Sequence, residues 1–135
     1  MTRKLSDTIE PRNVSRTHSP IPEFITDIVS KIVQGVSPEK IILFGSYVSG
    51  DITPDSDVDL LIIMPTSLRP AERIRLISRL LYPRVAPLDI IVKTPEEILA
   101  AQNRVDPFLH EILERGIVLY AKSGRSQRMV KESRS

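Results

Sequence analysis

Residues 41–64 read Ile-Ile-Leu-Phe-Gly-Ser-Tyr-Val-Ser-Gly-Asp-Ile-Thr-Pro-Asp-Ser-Asp-Val-Asp-Leu-Leu-Ile-Ile-Met, and this stretch decides the fold. It holds two runs rich in Ile and Leu, 41–44 and 58–64, of the kind that form strands buried on both faces. The link between them has room for only one helical turn and a loop. Because parallel strands need a longer crossover, we expect these two strands to pair antiparallel.

Outside this stretch, helical spacing of apolar residues alternates with short strand-like runs. The predicted elements there are a helix over 24–33 that Gly35 ends, a helix over 70–82, a strand over 88–92, a helix begun by the capping box Thr94-Pro95-Glu96-Glu97, a helix begun by Asp106-Pro107 and ended by Gly116, and a strand over 117–120. The link from Met64 to Leu88 is long enough for a helical crossover, so strands two and three should be parallel neighbours or near neighbours. The order α-β-β-α-β-α-α-β predicts an α/β (α+β) fold, a small mixed sheet covered by helices.

Length and composition bound the class of protein. The 135 residues fit one domain, predicted over 21–121, after a flexible lead-in over 1–20 and before a basic, flexible tail over 122–135. With no cysteine, disulfides and thiolate metal sites are excluded. No apolar stretch approaches the ~20 residues of a membrane span, and no signal region opens the chain. We therefore expect a cytoplasmic protein without a membrane partner.

The net charge of +2 is unevenly distributed along the chain. Residues 21–120 carry ten basic and fourteen acidic side chains, so the basic character comes from the two ends. Basic ends can bind nucleic acid, but neither end has the interleaved aromatic residues of a stacking surface. A solubilising role is the favoured interpretation of both ends.

Three aspartates interrupt the apolar strands. Asp57 and Asp59 lie two residues apart and project to the same face of a strand, and Asp89 interrupts the third strand in the same way. Neighbouring carboxylates in an apolar strand repel each other, and a divalent cation would remove that repulsion. Oxygen ligands without Cys or His suit Mg²⁺ or Mn²⁺, and such a site suits two-metal nucleotidyl transfer. The alternative is a purely structural role, in which each aspartate is a turn residue at the end of a strand.

Gly45 and Ser46 directly follow the first strand. A glycine lets backbone N–H groups approach a phosphate closely, and a serine adds a hydroxyl donor. A short helix beginning at Ser46 would favour the anion further. A Gly-Ser pair alone is a common turn, so its weight comes from its spacing to the aspartates.

Gly45-Ser46, ten residues and then Asp57-Val58-Asp59 together resemble the Gly-Ser-x10-Asp-x-Asp motif of the minimal nucleotidyltransferases in the DNA polymerase beta superfamily. Asp89 resembles the third aspartate of that family, and residues 110–120 resemble its closing helix and strand. The resemblance implies a polymerase beta-like fold that binds ATP with two Mg²⁺ ions. Gly45 and Ser46 would hold the triphosphate, Asp57 and Asp59 the metals, and Asp89 would be the third metal ligand and the base.

Many family members of this size are antitoxins that transfer AMP to a tyrosine of a small helical HEPN toxin, so the resemblance implies such a partner. The chain departs from the family pattern Gly-Ser-x-Ala-Arg-Gly, because Ser49 stands where an arginine is usual. A guanidinium there would bind phosphate, so a catalytically weak or inactive module that neutralises a toxin by contact remains an alternative. A nucleotidyltransferase acting on a small molecule or an RNA end is a further alternative.

Some residues have ordinary explanations. The arginines on and beside the third predicted helix, Arg69, Arg73, Arg75, Arg79 and Arg84, could contact phosphate or a partner, but solvated helix-face arginines are more common. Tyr47, Tyr82 and Tyr120 are most simply packing residues, and Tyr47 could also line a nucleotide pocket.

Overall fold

A computed structural model describes residues 21–122; the predicted lead-in and all but the first residue of the predicted tail lie outside the described residues. The elements are α1 Glu23–Val36, β1 Lys40–Phe44, α2 Ser46–Ser49, β2 Val58–Ile63, α3 Pro70–Leu80, β3 Leu88–Lys93, α4 Pro95–Gln102, α5 Pro107–Arg115 and β4 Ile117–Ala121. Each predicted helix and strand is present, and the turn after β1 forms the short helix α2. None of the helices in this part of the chain has the length and hydropathy needed to cross a bilayer.

The four strands form one mixed sheet in the order β3-β2-β1-β4. β1 pairs antiparallel with both β2 and β4, and β2 pairs parallel with β3. Both predictions of strand direction are therefore confirmed. β2 follows β1 through a short link, whereas β3 follows β2 through the crossover helix α3, which is the connection that a parallel pair requires.

The sheet separates two apolar clusters, as alternating side chains of its central strands point to opposite faces. Ile41, Leu43, Leu60 and Ile62 face the larger cluster, which α1 and α3 cover. Ile42, Leu61 and Ile63 face the smaller cluster, which α4 and α5 cover with residues that include Ala101, Leu109 and Ile112. The central strands β1 and β2 are thus buried on both faces, as their sequences predict.

The helix starts follow the predicted capping residues. The Thr94 hydroxyl accepts a hydrogen bond from the Glu97 N–H at 3.1 Å, and the Thr94 N–H donates to the Glu97 carboxylate at 2.9 Å. Asp106 accepts from the Leu109 N–H at 3.2 Å at the start of α5. These bonds satisfy N–H groups that a helix cannot pair internally. They fix where α4 and α5 begin.

Gly35 does not end the first helix, contrary to the prediction. α1 continues to Val36, and Ser37 takes the left-handed conformation that terminates it. A Cβ at Gly35 would clash with the side chain of Leu80 in α3. The glycine is therefore explained by the close approach of α1 and α3 rather than by helix termination.

Two of the ordinary explanations are also wrong. Tyr82 is 80% exposed and does not pack in the core. Arg73 is buried rather than solvated: its guanidinium donates to the Glu97 carboxylate at 2.8 and 3.2 Å, to the Leu68 carbonyl and to the Val92 carbonyl. Tyr47 does pack, with its ring edge-on to Phe24 at 6.4 Å.

Candidate active site

The three predicted aspartates meet at one end of the sheet. Asp59 near the start of β2 lies opposite Phe44 of β1 on one side and opposite Asp89 of β3 on the other. Directly paired residues project to the same face, so the Asp59 and Asp89 carboxylates are neighbours on it. Asp57, two residues before Asp59, precedes the strand on the same side. This is the face of the smaller apolar cluster, at the point where the cluster ends.

The electrostatics of this group centre on Asp59. Its pKa is raised, first because burial disfavours the charged carboxylate and then because the charges of Asp89 and Asp57 oppose ionisation. Asp59 is half-buried, while Asp57 and Asp89 are exposed. The site thus concentrates negative charge around a partly desolvated carboxylate, and a cation is the ligand that would relieve it.

The donor chemistry of these residues fits Mg²⁺, since all three offer carboxylate oxygens. Within residues 21–122, no three acidic or histidine side chains already converge around one point as a finished metal cluster. Asp57 and Asp89 are exposed, so their side chains are free to rotate toward a cation beside Asp59. The pKa of Asp59 is raised first by burial and then by the charges of Asp89 and Asp57, and a bound cation would favour the charged carboxylate against all three effects.

Gly45 brings the turn after β1 against this group. Its φ of 79° lies in the left-handed region that favours glycine. A Cβ on Gly45 would overlap Oδ2 of Asp59 and lie 2.8 Å from its Cγ. The turn therefore touches the central carboxylate, and any larger residue would displace one or the other.

Ser46 begins α2 immediately after this glycine. The N–H groups of Val48 and Ser49 return to the Gly45 carbonyl at 2.9 and 3.0 Å, which closes a single helical turn. The N–H groups of Ser46 and Tyr47 precede the first intrahelical bonds and are not used by the helix. Of the two predicted phosphate-binding residues, Gly45 therefore lies against Asp59, and Ser46 directly follows it in the chain.

The loop from α2 to β2 holds itself together with short polar bonds. The Ser49 hydroxyl donates to Asp51 at 3.2 Å, and the Thr53 N–H donates to the Ser56 hydroxyl at 2.8 Å. The Val58 N–H donates to the Pro87 carbonyl at 2.9 Å, which joins the starts of β2 and β3. These contacts position the Asp57 backbone beside the strand that carries Asp89.

A groove of about 560 Å³ extends from the turn toward α5. Its lining residues are Phe44, Gly45, Val48, Ser49, Phe108, Glu111, Ile112, Arg115 and Gly116. The sequence interpretation missed Phe108, Glu111 and Arg115 as candidate site residues. With Ile112 they recur at spacings of three and four, so they mark one face of α5. This helical spacing could have grouped the residues on one face of α5 from the sequence. That this face borders the turn after β1 is known only from the fold.

The aromatic contact between Phe44 and Phe108 bounds the groove. The two rings are edge-on with centroids 5.9 Å apart, and Phe108 remains 59% exposed. Such pairs stabilise by about 1 kcal/mol beyond their buried area. The contact ties α5 to the end of β1 and leaves an apolar ring face beside the turn at Gly45 and Ser46.

A cluster of aspartates on two adjacent strands, next to a Gly-Ser turn, is the arrangement expected of a nucleotidyl-transfer site. The family model described as polymerase beta, nucleotidyltransferase, matches residues 26–125. The chain belongs to this nucleotidyltransferase family. Its classification as a transferase enzyme and the predicted fold are thereby confirmed.

A curated relative supports the same assignment. A Methanocaldococcus jannaschii protein named as a protein adenylyltransferase is 36% identical over 100 residues, which cover 74% of this chain and 94% of that protein. The aligned region therefore spans almost the whole relative.

Two solved structures share the fold. A Sulfolobus solfataricus structure described as a nucleotidyltransferase superposes with a TM-score of 0.53 at 19% identity. The match covers 74% of this chain and 79% of that one. The structure described as a toxin-antitoxin with AMP-PNP also has a TM-score of 0.53 at 19% identity, over 74% of this chain and 75% of that one. At this identity, the similarity establishes the architecture of the nucleotidyltransferase domain.

Proposed function

We propose that this nucleotidyltransferase catalyses the Mg²⁺-dependent transfer of AMP from ATP to a hydroxyl group of a partner protein. The observation that carries the proposal is the contact between Gly45 and Asp59, because it brings the turn proposed to bind phosphate against an aspartate proposed to bind metal. Asp89, in register with Asp59 on the next strand, completes the group.

Each residue has a distinct role in this proposal. Asp57 and Asp59 would hold two Mg²⁺ ions, which would offset the charge of the triphosphate and polarise its α-phosphorus. Asp89 is a further ligand and accepts the proton of the attacking hydroxyl. The new bond joins that hydroxyl oxygen to the α-phosphorus, and the bond from the α-phosphorus to the bridging oxygen breaks. Pyrophosphate leaves against the N–H groups at Gly45 and Ser46.

The acceptor proposed is a tyrosine of a small helical toxin of the HEPN type, which would make the chain an antitoxin. Support comes from the relative named as a protein adenylyltransferase and from the neighbour described as a toxin-antitoxin with AMP-PNP. A protein acceptor also agrees with the exposure of Asp89, since β3 is an edge strand that a large substrate can approach.

A second candidate function is toxin neutralisation by contact, with little or no transfer. The specific observation in its favour is Ser49, which bonds to Asp51 and supplies no positive charge to the turn. Both candidates use the same fold, and they differ in whether the partner becomes covalently modified.

Transfer of ³²P from α-labelled ATP to the co-purified partner tests the proposal. Wild type should label the partner only with Mg²⁺ or Mn²⁺, and the double variant Asp57→Asn/Asp59→Asn should lose labelling by about 1000-fold or more. Asp55→Asn, an exposed carboxylate of the same loop, is the matched control and should label normally. Neutralisation without any label would favour the contact mechanism, and labelling that survives the double variant would refute the roles of these aspartates.

A further inference from the structure

The phosphate-binding turn has a deficit of positive charge. From Gly45 to Asp59 the chain contains no Lys or Arg, but it contains Asp51, Asp55, Asp57 and Asp59. A nucleoside triphosphate carries roughly four negative charges, so its terminal phosphates would lie among like charges. Metal ions at the aspartates offset part of this repulsion. The phosphates that leave still need a cation on the opposite side of the turn.

Arg115 is positioned to provide that cation. It lines the groove together with Gly45 and Ser49, and no other lysine or arginine of the described residues does so. Its backbone is fixed there by two contacts of the residues that follow it. Gly116 packs against β1 so closely that a Cβ would lie 3.0 Å from the Leu43 carbonyl oxygen, and Ile117 pairs with Leu43. Arg115 is therefore anchored beside the strand that leads into the turn.

Among the described residues, the guanidinium of Arg115 has no ion-pair partner. Its side chain is exposed. The salt bridge within residues 21–122 joins Arg73 to Glu97 and does not involve Arg115. Glu111, one turn earlier on α5, borders the same groove without pairing with Arg115. Arg73 is buried and paired with Glu97, and α3 with its remaining arginines covers the opposite face of the sheet.

We propose that Arg115 binds the β- and γ-phosphates of the nucleotide, so that α5 supplies the positive charge that the turn itself lacks. This inference rests on the proposed function. It predicts that Arg115 selects triphosphates over monophosphates, because its contacts are to phosphates that a nucleoside monophosphate does not have. A guanidinium can donate two parallel bonds to a phosphate, which a lysine or a water cannot do.

The test compares Arg115→Gln with Arg104→Gln, an exposed arginine just before α5 that does not line the groove. Dissociation constants for Mg-ATP and AMP are measured by calorimetry or by competition, and labelling of the partner gives kcat/KM. Arg115→Gln should weaken Mg-ATP binding by about tenfold to a hundredfold, leave AMP binding within about twofold and lower kcat/KM. Arg104→Gln should match wild type.

A second part of the experiment places an arginine at a different position of the same groove. Ser49→Arg in the Arg115→Gln background should restore most of the lost affinity for Mg-ATP, because Ser49 lines the same groove. Unchanged Mg-ATP binding by Arg115→Gln, or equal losses for ATP and AMP, would overturn the inference while leaving the proposed function intact. A wild-type protein that neither binds Mg-ATP nor labels the partner would instead overturn both.

Discussion

At the scale of single residues, the site depends on one contact. Gly45 needs its positive φ, and it also needs the absence of a side chain because the Asp59 carboxylate occupies that space. Gly50 at the other end of α2 has a φ of 93° but would have open space around a Cβ. The two glycines therefore share a positive φ, but they differ in ψ, which is −150° at Gly45 and 2° at Gly50, and in what surrounds them.

This difference predicts distinct outcomes for two alanine substitutions. Gly50→Ala should destabilise the protein by about 1–2 kcal/mol through left-handed strain, and Gly45→Ala should destabilise it more, because its Cβ would also overlap the Asp59 carboxylate. Only Gly45→Ala should also displace Asp59, so it alone should lower kcat for transfer, by about 100-fold. Chemical denaturation and the labelling assay measure the two effects. Equal transfer rates in the two variants would show that the contact with Asp59 is unimportant for activity.

Asp59 is also a residue whose removal should stabilise the metal-free protein. Its folded-state pKa is raised, so the charged carboxylate costs stability once the pH exceeds that pKa, and the cost disappears in acid where Asp59 is protonated. Asp59→Asn should therefore raise Tm at pH 7 without metal, with the gain shrinking as the pH falls through the raised pKa. Thermal melts from pH 3 to 8 measure this. A variant less stable than wild type at pH 7 would contradict a net cost of burying the charged Asp59 carboxylate beside Asp89 and Asp57.

At the scale of elements, the pair Arg73 and Glu97 joins the crossover helix α3 to α4. Arg73 is buried and donates to Glu97 and to the Val92 carbonyl at the end of β3. The Arg73 hydrogen bond, followed by the Thr94 N–H, lowers the pKa of Glu97. The capping box and the ion pair thus use one carboxylate, which locks α4 to both neighbouring elements.

Glu97→Ala should destabilise the protein by about 2 kcal/mol, because it leaves the buried Arg73 unpaired and removes one capping acceptor. Glu96→Ala, in the same first turn but exposed, is the control and should cost less than 0.5 kcal/mol. The lowered pKa means that this stabilisation is present above the ordinary Glu pKa of 4.5 and is lost as the pH falls through the folded value. Urea titrations at pH 7 and below pH 4 measure both effects, and a pH-independent difference between Glu97→Ala and wild type would contradict the account.

Local patterns were sufficient for the elements but not for their surroundings. The apolar runs, the proline positions and the caps at Thr94 and Asp106 predicted the strands and helix starts, because those signals act within a few residues. The buried state of Arg73 and the packing of Gly35 on Leu80 depend on how α3 sits against distant elements, which spacing along the chain does not encode. For the same reason, the motif predicted Asp57, Asp59 and Asp89 as a group, whereas Phe108 and Arg115 emerged only from the fold.

At the scale of the whole molecule, the charge pattern separates the domain from the ends of the chain. Residues 21–120 carry a net charge of −4 within a chain of +2. An acidic domain binds an anionic nucleotide poorly unless cations accompany it. Metal and nucleotide should therefore bind with positive coupling.

Thermal shift measurements test this coupling. Mg²⁺ alone and ATP alone should raise Tm only slightly, and the two together should raise it by more than the sum, because each ligand neutralises charge that opposes the other. Asp57→Asn/Asp59→Asn should lose the coupling, and Asp55→Asn should retain it. Additive shifts in wild type would indicate that the nucleotide binds without the metal ions.

The register of β2 against its neighbours has a consequence for how activity responds to mutation. Asp59 lies opposite both Phe44 and Asp89, while Leu60, the next residue, is fully buried against α1 and α3. A slip of one residue would exchange them and place a carboxylate in the core, so that misaligned forms are too unstable to accumulate. Every molecule that folds in this register thus carries Asp59 directly beside Asp89. Core substitutions should lower the fraction of molecules that fold, while the turnover of each folded molecule stays constant. The total rate of transfer should therefore be proportional to the amount of folded protein.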